Sequence, residues 1–138
     1  MRRAFLDTNI LMDAIECREY GEEANTILDL ARAKIIEVSA AIISFATISY
    51  LLRKHTKEDI HQIFMLLSNT VEILPVDATQ FSNALQFGPV NDFEDMMQYQ
   101  CAKAANCDVI ITNNGKDFAE FCDLPIMTAA EFLAEWSK

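Results

Sequence analysis

Short, continuous apolar runs alternate along the chain with longer stretches in which apolar residues recur every three or four positions. Ala4-Phe5-Leu6, Ile35 to Val38, Val71 to Leu74 and Val109 to Ile111 read as strands. The third is ended by Pro75. Asn9 to Ile15 reads as one or two helical turns. Glu22 to Ala33 reads as a helix burying Ala24, Ile27, Leu28 and Ala31. Ile42 to Arg53 predicts an apolar helix with Ile48, Leu51 and Leu52 inward, and Lys57 to Leu67 one with Ile60, Phe64 and Leu67 on one face. Ala78 to Phe87 is helical and stops at Gly88-Pro89. Phe93 to Ala105 follows, with Asn91 and Asp92 as candidate N-caps. Thr128 to Trp136 closes the pattern, opened by a Thr128-x-x-Glu131 capping box.

Uninterrupted apolar strands alternating with helices imply a parallel sheet covered on both faces. In such sheets ligands bind beyond the carboxyl ends of the strands, near the point where the strand order reverses. No repeat, low-complexity tract or linker divides the 138 residues, so one domain over residues 1–138 is expected. With 51% hydrophobic residues, a chain of this length buries a core without staples. The longest apolar stretch, Val38 to Leu52, is interrupted by Ser39, Ser44, Thr47 and Ser49, so no membrane span is expected. The opening Met-Arg-Arg-Ala-Phe-Leu-Asp reaches an acid before a signal-peptide core forms.

The net charge is −10, and it is uneven: residues 1–70 hold 10 acids and 8 bases, residues 71–138 hold 11 and 3. Such a balance argues against charge-driven binding of nucleic acid, which needs Lys and Arg to neutralise phosphates. It permits a cation-holding site, but on charge alone plain solubility is the simpler reading. Cys17, Cys101, Cys107 and Cys122 form no CxxC pair, and His55 and His61 do not stand at zinc spacing with them. Four reduced thiols in a cytoplasmic protein is the simplest reading, most of them core filler.

The strand-end rule singles out particular acids. Asp7 follows the first strand directly, and Thr112-Asn113-Asn114 follows the fourth, with Asp117 a short turn later. Asp92, Glu94 and Asp95 open the helix before the fourth strand. Helix capping alone explains Asp92 or Glu94; Asp95 lies further in. Carboxylates that converge repel unless protons or cations compensate. Mg²⁺ and Mn²⁺ prefer such oxygens and, so held, activate water and stabilise a phosphodiester in transition.

Phe5-Leu6-Asp7-Thr8-Asn9-Ile10-Leu11-Met12-Asp13 resembles the opening of a PIN domain, as in the VapC-type toxin nucleases. Asp92-Phe93-Glu94-Asp95-Met96-Met97-Gln98 resembles that family's third-acid motif, and Ile110 to Phe118 its fourth. The resemblance runs from about residue 3 to residue 133, and three motifs in this order are specific. It implies a three-layer α/β/α sandwich around a parallel sheet of about five strands. It also implies a metal-dependent endoribonuclease acting on single-stranded RNA with Mg²⁺ or Mn²⁺. A small antitoxin protein as partner and a homodimer or higher homo-oligomer are implied too. By match, Asp7, Asp95 and Asp117 are the catalytic metal ligands, and Asp92 ligates the metal or holds water. Thr112 and Asn113 line the pocket, with Thr8, Asn9 and Thr47 also on its lining. Thr8 and Asn9 are expected to fix the turn through local backbone bonds.

One position departs from the pattern. The family usually carries an acid in the helix after the second strand, and Ser44 to Lys54 contains none. The Tyr-x-x-Arg-Lys end places Thr47 there, with Ser44 one turn earlier. Three readings remain: a nuclease with looser metal binding, a nuclease using Asp92 or Glu94 instead, or a catalytically inactive PIN-like binding or assembly module. A carboxylate-metal phosphatase of another α/β type fits the acids but not Thr112-Asn113. Arg53, Lys54, His55 and Lys57 are the basic cluster; they suit a helix C-terminus and, less simply, an RNA backbone. Phe81, Phe87 and Phe93 are read as core rather than as stacking platforms for bases, and Trp136 as core or an oligomer contact. The absence of a Gly-rich phosphate loop argues against a nucleotide-binding enzyme.

Overall fold

The computed structural model describes residues 2–136. Five strands are described: β1 (Arg3–Leu6), β2 (Glu37–Ala41), β3 (Glu72–Leu74), β4 (Val109–Ile111) and β5 (Ile126–Met127). They form one parallel sheet in the order β3-β2-β1-β4-β5. The chain builds outward from β1 in one direction as far as β3, then returns to β1's other side for β4. The switch point therefore lies between β1 and β4, which pair Leu6 with Ile111.

Alternation along each strand divides the interior in two. Ala4, Leu6, Val38, Ala40, Val109 and Ile111 face one core. It is closed by α1 (Thr8–Glu16), α2 (Gly21–Arg32), α3 (Ile42–Leu51), α4 (Lys57–Ser68) and α8 (Ala129–Trp136). Phe5, Ala41, Leu74 and Ile110 face the other, covered by α5 (Ala78–Phe87), α6 (Phe93–Ala104) and α7 (Gly115–Ala119). The expected α/β/α layering holds. Among the described residues no helix is long and apolar enough to cross a membrane.

Several sequence expectations shift. β2 begins at Glu37 rather than Ile35, because Lys34 takes φ +62° and the Ile35 N–H returns to the Leu30 carbonyl to end α2. The strand then runs on through Ser39-Ala40-Ala41, all buried; Ser39 and Ala41, on the face that α6 covers, are small and let that helix lie close on the sheet, while Ala40 faces the other core. Leu51, expected inward, is exposed, since the next inward position after Ile48 is Leu52. Phe81, Phe87 and Phe93 are not core: each is 40–50% exposed, and they pair edge to face as Phe81–Phe93 and Phe87–Phe121. Trp136 is also exposed. Cys101 and Cys107 are buried, Cys122 is half-buried and Cys17 is exposed; all four are free thiols. The short β5 and α7 were not legible in the apolar pattern.

α1 and α2 approach closely at Gly21, where a Cβ would stand 2.8 Å from the Asp13 carbonyl oxygen. The second core depends on Phe118, fully buried, which ties α7 to the sheet. Phe118→Ala is expected to lower the unfolding free energy by about 3–5 kcal/mol in a denaturant titration. Leu85→Ala, at an exposed position on α5, should change it by no more than about 0.5 kcal/mol.

Candidate active site at the sheet switch point

Asp7 stands where strand becomes helix. Its N–H donates to the Ile111 carbonyl (3.0 Å), extending the β1–β4 ladder by one bond. Its carbonyl accepts from the Ile10 N–H (2.9 Å), opening α1. The side chain, only 3% exposed, is thus fixed at the carboxyl edge of the central strand. One carboxylate oxygen, Oδ2, accepts from the Thr112 hydroxyl at 2.7 Å, and Oδ1 accepts from the Gln98 amide at 3.0 Å. Thr112 is the residue that follows β4, so the register of the two strands sets this contact directly.

The same Gln98 nitrogen donates to Asp95 Oδ1 at 3.2 Å. One turn of α6 separates the two residues, which places them on one face. Gln98 Oε1 accepts from the Thr8 N–H (3.2 Å) and the Ser44 hydroxyl (3.4 Å), which fixes the amide with its nitrogen on the acids. Gln98 is buried and joins α6 to β1, α1 and α3. The sequence reading missed it; its position three residues after Asp95 was the available signal.

The other predicted residues divide. Asp92 is the N-cap of α6, its Oδ1 accepting from the Asp95 N–H at 3.0 Å, and it is exposed. Asp117 is exposed in the first turn of α7. Thr8 departs from its expected local role: its hydroxyl reaches Ser44 Oγ (2.8 Å) and, at longer range, Glu94 Oε1 (3.3 Å) and Gln98 Oε1 (3.5 Å). Thr47 also reaches Glu94 Oε1 at 3.3 Å. Asn113 turns away from Asp7, its amide donating to Asp13 Oδ2 at 2.5 Å. Asn9 is half-buried on α1. In the basic cluster, Arg53 stacks on Tyr50 and donates to the Tyr50 carbonyl, as a helix C-terminus favours.

Electrostatically the site is unbalanced. Burial pushes the Asp7 carboxyl above its ordinary range, against the pull of the Thr112 and Gln98 donors. Burial likewise raises Glu94, against the Thr8 and Thr47 hydroxyls. Asp95 is pushed up to about 7 by burial, then by the charges of Asp7, Asp92, Asp117 and Glu94. Among the described residues the ion pairs lie elsewhere, as in Arg2–Glu135, Arg3–Glu37 and Lys103–Asp123, and none involves these acids. No three of them form a ready-made metal cage. The donor set is nonetheless carboxylate, hydroxyl and amide oxygen. It suits a hard divalent cation that keeps several waters, as Mg²⁺ does.

The chain belongs to the PIN domain family, whose profile matches residues 3–116. It is 28% identical to Ribonuclease VapC1 of Aquifex aeolicus (strain VF5), over 98% of this chain and 96% of that protein. Its fold is similar to a crystal structure of VapBC2 from Rickettsia felis bound to a DNA fragment from their promoter. There the TM-score is 0.67 at 23% identity, over 90% of this chain and 96% of the other. A toxin–antitoxin complex from Klebsiella pneumoniae gives the same TM-score and identity, over 91% and 97%.

Two outcomes follow from the charge balance. The Asp95 carboxyl titrates near 3.8 when unfolded and near 7 when folded, so the folded state holds the extra proton between these values. Its stabilising contribution is complete below about pH 4 and is lost as pH rises through about 7. In metal-free thermal melts, Asp95→Asn should therefore gain on the parent as pH rises across that window and hold its lead above it. Gln98→Leu leaves a backbone N–H and two acids without their shared partner, and should cost about 1–3 kcal/mol in denaturant unfolding.

Proposed function

We propose that this chain is a divalent-cation-dependent endoribonuclease that cleaves single-stranded RNA, and the toxin of a toxin–antitoxin pair. The observation that carries the reading is the group of acids at the switch point, which among the described residues no basic side chain pairs with. Membership of the PIN family and likeness to a relative named as a ribonuclease support it.

Asp7, Asp95 and Asp117 are the residues that would hold Mg²⁺ or Mn²⁺. When bound, the cation stabilises negative charge developing on a phosphodiester and polarises water. The chain's own part is orientation. Thr112 and Gln98 pin both oxygens of Asp7, and Gln98 ties Asp95 to it, so the carboxylates are aimed before any ligand arrives. With its carboxyl pushed up to about 7, Asp95 is partly protonated at neutral pH in the metal-free protein, and a bound cation would favour the ionised form. With a net charge of −10, the surface contributes little general affinity for RNA, so productive binding concentrates at the acids.

The antitoxin half rests on likeness to solved toxin–antitoxin complexes and on an apolar groove between α1, α2 and α4. Its lining includes Ala14, Ile15, Leu28, Ile63 and Leu66. A small protein that lays an apolar segment there and points a basic side chain at the acids fits both features.

One observation favours a second reading, an inactive binding module: α3 offers the Ser44 and Thr47 hydroxyls but no carboxylate. Millimolar Mn²⁺ separates the two. At a hundredfold excess over Kd, a ligand specific to the folded state adds about 2.7 kcal/mol of stability. The parent's melting temperature should rise with Mn²⁺ and that of Asp7→Asn should not. The parent alone should cut a labelled single-stranded RNA. An equal rise in both proteins, with no cleavage by either, selects the inactive module.

A further inference from the structure

We propose that Glu94 supplies the carboxylate that α3 lacks, reaching across from α6 to complete a four-acid cation site with Asp7, Asp95 and Asp117. The proposal rests on the nuclease reading above and concerns which side chain fills the vacant position.

Three observations lead to it. The first is placement. Glu94 is the second residue of α6, and its Oε1 accepts from Thr47 on α3 and from Thr8 at the start of α1, both at 3.3 Å. The carboxylate therefore lies against the part of α3 where the family's acid is missing, next to the residue that follows Asp7. A glutamate has the extra methylene needed to bridge from one helix to another; an aspartate at the same position does not.

The second is how loosely it is held. Hydroxyl-to-oxygen bonds ordinarily measure 2.5–3.0 Å. Both contacts are longer and fall on the same oxygen. Each threonine has one proton and a competing acceptor: the Ile43 carbonyl for Thr47 (3.3 Å), and Ser44 Oγ (2.8 Å) or Gln98 Oε1 (3.5 Å) for Thr8. A carboxylate serving only the helix N-terminus gains its stabilisation at the exposed rim, without entering a cleft between three helices. Glu94 is instead half-buried beside other acids with no basic partner, an arrangement that a cation relieves.

The third is the elimination of Asp92. That side chain is exposed, and its Oδ1 is committed to the Asp95 N–H as the cap of α6. Among the described residues its side-chain hydrogen bond stays within α6, and it makes none to α3, where the acid is missing. Glu94 carries no such obligation.

The test is Mn²⁺ binding to the full chain without RNA, by calorimetric titration, with RNA cleavage as a second readout. Glu94→Gln keeps the shape and removes the charge. It should weaken Mn²⁺ binding by about ten- to a hundredfold, with a metal-free melting temperature at or above the parent's. Adding Thr47→Glu to Glu94→Gln should return most of the affinity and the cleavage, because the charge is restored at the same place from α3. Glu58→Gln, which removes an exposed acid on α4, should leave the affinity unchanged. If Glu94→Gln binds Mn²⁺ like the parent while Asp7→Asn does not, the proposal falls and the nuclease reading stands. If Asp7→Asn also binds like the parent, the nuclease reading falls and takes the proposal with it. A Glu94→Gln protein that melts well below the parent, or a double variant with no recovery, shows Glu94 to be a structural contact and overturns the proposal.

Discussion

A buried carboxylate held only by neutral donors governs this end of the molecule. Asp7 is surrounded by protein, yet its partners are a hydroxyl and an amide, neither of which brings positive charge. Removing an ionised group from water without a counter-charge is costly. The rest of the edge is arranged around that cost. Thr112 is delivered by the neighbouring strand, Gln98 by the helix packed above, and the Asp95 carboxyl answers by holding its proton up to about pH 7. The site is strained electrostatically rather than in its backbone, where Asp7 sits in an ordinary extended conformation.

The sheet makes the arrangement possible. With β1 central and β4 beside it, one register places Asp7 and Thr112 abreast at the edge where the strand order reverses. After Arg3, β1 is apolar and fully buried from Ala4 to Leu6, so it serves both cores at once, Phe5 toward one and Leu6 toward the other. The acids are supplied by junctions: the end of a strand, the first turn of α6, the first turn of α7. Rigid elements fix the geometry and loops carry none of the buried charge.

Much of this was legible in the residues. Apolar runs mark β1 and β4, and the strand-end rule leads from them to Asp7 and Thr112. The Thr128 and Glu131 pair capped α8 reciprocally as its spacing predicted. What escaped was set by tertiary contact. Ser39-Ala40-Ala41 carries no strand-forming signature, because its small side chains answer the closeness of helices on the two faces, α6 over Ala41 and the first core's helices over Ala40. The two-residue β5 is too short for a period to register. Phe81, Phe87 and Phe93 read as core by type alone, although the helix surface they occupy faces outward. Gln98 was passed over because an amide among acids has no motif value until its two ends are seen to touch different elements. Thr8 was read as a local turn residue for the same reason: its role lies thirty-six residues away, at Ser44.

Gly21 gives the fold a consequence far along the sequence. Its backbone lies so close to the Asp13 carbonyl that even a methyl group intrudes. Asp13 in turn grips Asn113 with its side chain, and Asn113 directly follows the threonine that steadies Asp7. The hairpin of α1 and α2 is therefore a linkage as well as a cover. A continuous chain of contacts thus runs from the start of α2, through Asp13 and Asn113, to the residue next to Thr112. The buried acid is therefore joined to the helical frame through side chains as well as through its own strand, and the space that a glycine leaves at residue 21 belongs to that frame.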